Sequence, residues 1–257
     1  MNDEKVKITP GEFIQKLDFK SNIVYFIKWG ILSGIIGVSV GFFGASFAHA
    51  INFATIFWQN NSYAIYLLPV SGLLIALMYH FIKAENPRGT NWVIDSISSG
   101  EEIPVKMAPS IFISSFLTHL GSGSAGREGA ALQIGGSIGS FIGRKLNLGK
   151  SNISDRADIN IAIMCGMAAC FSAVFGTPIS ASIFSMELFS VGVMYHAALI
   201  PCLFSSYIAV HVAKLMHTPE EKFILQSAPE WNFKLILFMI LLAALTAMVA
   251  ILFSLSM

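Results

Sequence analysis

The residues with the types and spacing for chemistry lie in a glycine-rich stretch, 121–136, which reads GSGSAGREGAALQIGG. At its centre, Arg127 and Glu128 stand between two apolar segments, 107–126 and 129–143, that contain no Asp, Glu, Lys or Arg. An ionisable side chain at membrane depth is costly, and by default it marks a site or a pathway. Irregular glycine-rich backbone is tolerated at that depth only where it is buried in protein or lines a cavity. The pattern therefore predicts a polar site between apolar helices.

The segment after this stretch indicates what such a site would bind. An apolar run to about Phe141 predicts a helix that begins in the Gly-Arg-Glu-Gly residues. The first turn of a helix has unpaired N–H groups and the positive end of the helix dipole, and both favour anions. We expect the anion ligands to be residues at this helix start, namely Gly126, Arg127, Gly129 and Ala130. In a structural alternative, Glu128 is a first-turn glutamate stabilised by the dipole or by pairing with Arg127.

The composition restricts the class of protein. Of the 257 residues, 54% are hydrophobic and 12% are charged, and the mean hydropathy is +0.67. A soluble domain carries about 25% charged residues, so we expect an all-α integral membrane protein. A net charge of +1 argues against a basic face for nucleic acid. No nucleophile–base pattern, phosphate loop or metal-ligand spacing of His and Cys occurs in the sequence, so we expect neither an enzyme nor a cofactor or metal.

Hydropathy and breaks along the chain predict four regions. Residues 1–21 are an aqueous lead-in, 22–213 a helical membrane domain, 214–232 a polar linker, and 233–257 one further apolar helix. The uncharged run 29–81 is too long for one span of about 20 residues, and its break at 59–62 predicts two helices. Further helices are predicted where the chain is apolar again. Together the predicted helices of the membrane domain are 23–58, 63–83, 107–120, 159–174, 178–189 and 194–213, the last interrupted by Pro201.

A short segment, 89–98, is not long enough to cross a membrane. A short interrupted segment beside a longer one is typical of a re-entrant half-helix in transporters with broken helices. Its first residues include Thr90 and Asn91, which offer hydroxyl and amide donors. The alternative is an ordinary helix with a polar N-cap residue.

The run GREGA followed by QIGG resembles the G-R-E-G-P signature of the CLC family of chloride channels and chloride/proton antiporters. In that family the glutamate is the gate, whose carboxylate lies in the anion path and leaves it when protonated or displaced. The matching position is Glu128. Ala130 stands where the family usually has proline, which is a mild change in the first turn of a helix.

Two further motifs match the family with changes. The short segment lies where the family has G-S-G-I-P, whose serine coordinates the central anion, and the resemblance implies anion binding by Thr90 and Asn91. Residues 175–178, FGTP, resemble F-N-A-P, which precedes two glutamates in many members. Here Glu187 is followed by Leu188, the position of the glutamate that relays protons in antiporters. Glu187 is therefore either part of a proton route or a hydrogen-bonded structural carboxylate.

The resemblance implies a CLC-like bundle of tilted and broken transmembrane helices. A typical member has two inverted halves, and this chain matches one inverted-repeat half plus one helix. The implied function is transport of a halide, chloride or fluoride, by a multi-pass channel or anion/proton antiporter in the plasma membrane, with Glu128 as the gate. Fluoride remains a possible transported ion because the family's fluoride-exporting branch also departs from the serine motif.

The alternative is a truncated or split half without transport activity of its own. The family's pathway draws on both halves, so a lone half should leave the anion site open on one side. The expected partners are the halide, protons in the case of an antiporter, the lipid bilayer, and either a second copy in a homodimer or a chain that carries the missing half.

Overall fold

The computed structural model describes residues 19–82, 89–99, 102–146, 148, 153–188, 195–219 and 231–256. In these ranges all regular secondary structure is helical. Most of the predicted lead-in, residues 1–18, and most of the predicted linker, residues 220–230, lie outside the described residues, and the first helix already begins at Phe19. The helices are α1 (Phe19–Asn60), α2 (Leu68–Ile82), α3 (Thr90–Ser99), α4 (Met107–Leu120), α5 (Glu128–Lys145), α6 (Ile153–Phe175), α7 (Pro178–Glu187), α8 (Leu199–Leu215) and α9 (Phe233–Ser256). Short 3₁₀ turns, Ser62–Leu67 and His196–Ala198, lead into α2 and α8.

Five of the described helical segments are long and apolar enough to cross a membrane. They are Ile23–Asn60, Ser62–Ile82, Ala157–Phe175, His196–Leu215 and Phe233–Ser256. The expectation of an all-α, multi-pass membrane protein is therefore confirmed. With 42 residues, α1 is roughly 63 Å long at 1.5 Å per residue. That is about twice the thickness of the hydrocarbon core, so α1 must tilt strongly or extend beyond it.

The core of the first unit is built around α6, in which residues 161–170 are all buried. This helix packs against α1, α5, α7 and α8. On α1, the glycines spaced by four residues partly serve the helix contact that the spacing predicts. A Cβ added to Gly37 would lie 2.7 Å from the carbonyl oxygen of Ser205 on α8, and one on Gly41 would lie 2.8 Å from Cα of Ala209. Gly30, by contrast, has open space around it.

Two of the differences between the predicted and the observed helices have a clear physical reason. Pro201 does not interrupt its helix, because it is the third residue of α8, where its missing N–H has no intrahelical acceptor to lose. The helix predicted at 159–174 begins earlier, at Ile153. Hydropathy marks where a segment becomes apolar, whereas charged and polar residues such as those at 154–158 extend a helix without breaking it.

Residues 221–257 form a separate compact unit from residues 1–220. In this unit α9 has a continuous apolar sequence, and none of its residues is buried. The division falls inside the predicted linker, 214–232.

Candidate functional site

The glycine-rich turn between α4 and α5 is shaped by close approach of the backbone. The amide of Gly123 donates to the carbonyl of Thr118 at 2.8 Å, and Ser122 adopts a left-handed φ of 60°. A Cβ on Gly123 would lie 2.7 Å from Cγ2 of Thr118, and one on Gly121 would lie 3.0 Å from Cα of Leu68. Glycine is therefore required for the chain to leave α4 beside the start of α2 and turn into α5.

The start of α5 presents unpaired amides. The first backbone hydrogen bond of the helix runs from the amide of Ala131 to the carbonyl of Arg127 at 2.9 Å. The amides of Glu128, Gly129 and Ala130 consequently have no acceptor within the helix. Arg127 is the N-cap residue, and its side chain makes no capping hydrogen bond. The predicted helix start is thus where the sequence analysis located it, with its dipole and amides available to an anion.

The gate candidate, Glu128, folds back over the turn. Its Oε2 lies 3.0 Å from the position that a Cβ on Gly126 would occupy. In the described chain the side chain of Glu128 is exposed and Gly126 is exposed, while Ala130 is buried and Arg127 and Gly129 are half-buried. The site therefore opens to one side and is closed on the other by packed helix.

Thr90 comes from a second helix whose first turn meets the first turn of α5. Its Oγ1 lies 3.0 Å from the position of a Cβ on Gly129. The structure thus brings Thr90 and Gly129 together across 39 positions of sequence. Asn91 follows Thr90 in the first turn of α3, but its side chain lies outside the described part.

Gln133 joins the two helix starts, and the sequence analysis assigned it no role. Its Nε2 donates to the carbonyl of Gly129 at 3.1 Å and to Oγ1 of Thr90 at 3.2 Å. The side chain is 8% exposed. The signal in the sequence was a lone amide in an apolar helix, one turn after Gly129, where residues four apart lie on the same face.

Other polar residues that the sequence analysis considered have structural partners or lie at helix ends. The buried ring of His119 donates from Nδ1 to the carbonyl of Ser115 at 2.8 Å, within its own helix. Glu187 is exposed and is the last residue of α7. Within the described ranges, no three His, Cys, Asp or Glu side chains are grouped closely enough to hold a metal ion.

Comparison with known proteins places these features in a family. The model of the voltage gated chloride channel family matches residues 71–257. A chloride/fluoride channel protein from Pseudomonas syringae pv. tomato is 33% identical over 198 residues, which cover 76% of this chain and 42% of the relative. The H(+)/Cl(-) exchange transporter ClcA from Citrobacter koseri is 27% identical over 218 residues, which cover 79% of this chain and 44% of the relative.

Solved structures show the same architecture. A crystal structure of a CLC-type fluoride/proton antiporter superposes with a TM-score of 0.77 at 26% identity, covering 95% of this chain and 57% of that one. A slow cyanobacterial Cl-/H+ antiporter superposes with a TM-score of 0.60 at 21% identity, covering 80% and 51%. The chain therefore has a CLC fold and spans less than half the length of the curated relatives it matches. Because the family model covers most of its residues, this protein belongs to the voltage gated chloride channel family.

Proposed function

We propose that this protein transports a halide across the plasma membrane through a CLC-type pathway gated by Glu128. The observation that carries the proposal is the meeting of two helix starts, at which Thr90 lies against Gly129. Two first turns offer a halide unpaired amides and two positive dipole ends. The Thr90 hydroxyl adds a side-chain donor, and the proposal also includes the side chain of Asn91.

The gate would act by competition for these donors. An ionised Glu128 carboxylate is itself an anion, and from its position over Gly126 it competes with the halide for the amides of the turn. A neutral carboxyl group binds amide donors more weakly and leaves them to the halide. Flux should therefore rise as the pH falls and as the halide concentration rises.

Fluoride is the halide that the comparisons favour. The relative with 33% identity is described as a chloride/fluoride channel protein. The solved structure that superposes with a TM-score of 0.77 is described as a CLC-type fluoride/proton antiporter. Fluoride is smaller than chloride and accepts stronger hydrogen bonds. A well-oriented donor such as the Thr90 hydroxyl should therefore raise the affinity for fluoride more than the affinity for chloride.

Flux from liposomes that contain the purified chain tests the gate. Fluoride and chloride electrodes would follow efflux for the wild type, Glu128→Gln and Glu128→Ala over a range of pH. Both variants should conduct at every pH at the rate that the wild type reaches only in acid. Asp95→Asn, which neutralises an exposed carboxylate on α3, is the matched control and should retain the wild-type pH dependence. A Glu128→Gln variant with the rate and pH profile of the wild type would refute the gate.

A second candidate is a half that transports only together with another chain. It is supported by the coverage of 42% and 44% of the curated relatives and by the exposure of Glu128 on the open side of the site. In this proposal residues 22–213 are a first repeat, and residues 233–257 correspond to the first helix of a second. Flux by the chain alone, as itself or as a homodimer, favours the first candidate. Flux that requires a co-expressed chain carrying the second half favours the second candidate.

A further inference from the structure

The amide of Gln133 can be oriented in only one way. The carbonyl oxygen of Gly129, 3.1 Å from Nε2, accepts hydrogen bonds and cannot donate them. Rotating the amide by half a turn would set two acceptor oxygens against each other, so the NH₂ group must face Gly129 and Thr90. Oε1 is buried and has no hydrogen-bond partner among the described residues.

We propose that the amide of Gln133 holds the Thr90 hydroxyl as a hydrogen-bond donor to the transported halide. Gln133 donates to Oγ1 of Thr90 at 3.2 Å. Since that bond occupies a lone pair of Oγ1, the single hydroxyl proton points elsewhere, and the unpaired amide of Gly129 lies on the adjacent side.

This role makes Gln133 a positioning residue that favours fluoride over chloride. It rests on the proposed function, because it requires a halide at the two helix starts. When the hydroxyl proton is already directed at the anion, the hydrogen bond strengthens the binding of fluoride more than that of chloride, because fluoride is the stronger acceptor. Without Gln133, the Thr90 hydroxyl loses the donor that directs its proton, and the proton can rotate away from the halide.

Halide titration calorimetry on the purified full chain in detergent tests the proposal. Gln133→Met keeps the length of the side chain and removes the amide, and Thr90→Val removes the hydroxyl at constant shape. Each should weaken fluoride binding about tenfold, the usual worth of a hydrogen bond to an ion, and chloride binding by less. In the double variant the loss should also be about tenfold, because both changes remove one interaction. Ser137→Ala, on the same helix with its hydroxyl donating to Pro104 at 2.9 Å, should leave the fluoride-to-chloride ratio unchanged.

Wild-type fluoride binding in Gln133→Met, or losses that multiply in the double variant, would overturn the inference while leaving halide binding intact. Should Gln133→Met not fold, a Thr90→Val variant with wild-type fluoride affinity overturns it equally. A wild-type chain that binds no halide would overturn the proposed function and this inference together.

Discussion

Gly135 of α5 and Gly166 of α6 approach each other so closely that a Cβ added to either would lie 2.2 Å from the carbonyl oxygen of the other. One turn further along α5, a Cβ on Gly139 would lie 2.4 Å from the carbonyl oxygen of Ala162. Both neighbours are backbone atoms of a buried helix, so neither can move aside alone. This crossing holds α5, and with it the helix start that carries Glu128, against the core.

Replacing Gly135 by Ala should therefore lower the stability of the protein severely. The added methyl must push two backbones apart, and we expect a cost at the upper end of the range of about 1–3 kcal/mol that is typical of overpacking. Far-UV circular dichroism during heating in detergent would show the loss as a lower unfolding temperature. Gly72→Ala is the control, because nothing lies within 4 Å of its added Cβ, and the higher helix propensity of alanine should leave its unfolding temperature unchanged or slightly raised.

Alanine at the two glycines that flank Glu128 should affect two different properties. At Gly126 the added Cβ would lie 3.0 Å from Oε2 of Glu128, so Gly126→Ala should displace the carboxylate and weaken the pH dependence of flux. At Gly129 it would lie 3.0 Å from Oγ1 of Thr90, so Gly129→Ala should weaken halide binding several-fold and retain the pH dependence. Parallel flux and calorimetry measurements on the two variants check this, and identical effects of both would contradict it.

The ion pair between Lys28 of α1 and Asp158 of α6 should contribute more to stability than the pair between Arg144 and Glu102. The side chain of Asp158 is 19% exposed, whereas that of Glu102 is 76% exposed. Asp158→Asn should cost about 1–3 kcal/mol, because it leaves a partly buried ammonium without its counter-charge. Glu102→Gln should cost less than about 1 kcal/mol. Unfolding temperatures of the two variants in low and high salt would test this. Equal losses of stability would contradict the expectation that the more buried ion pair contributes more.

Serine hydroxyls should hold α7 against α8. Oγ of Ser182 and Oγ of Ser206 lie 2.7 Å apart, and both residues are fully buried. Ser182→Ala should lower the free energy of unfolding by roughly 1 kcal/mol, the scale of a hydrogen bond between membrane helices. Ser46→Ala, which removes a hydroxyl that donates to the carbonyl of Phe42 in its own helix, is the control. Chemical unfolding in detergent would compare them, and an equal effect of both would argue against a special role for the contact between the helices.

Local chemistry determined much of the fold. Apolar runs and their polar or glycine breaks were enough to predict α4 at its observed bounds and the start of α5 at the Gly-Arg-Glu-Gly residues. Both depend on neighbours in the chain, namely hydropathy, the unpaired first turn and the freedom of glycine. The same reasoning failed at Pro201 and at the start of α6, because hydropathy does not mark where a helix begins, and a proline within the first turn does not break one.

The sequence by itself determined that this protein is a helical membrane protein, that it resembles the CLC family, and that one helix starts with a glutamate in a glycine-rich turn. Only the tertiary structure decided that Thr90 lies against Gly129 and that Gln133 bridges the two helix starts across 43 positions. The reason is physical. Hydropathy and breaks act over a few residues, whereas the meeting of two helix starts depends on how closely whole helices pack, here on backbone contacts such as that between Gly135 and Gly166.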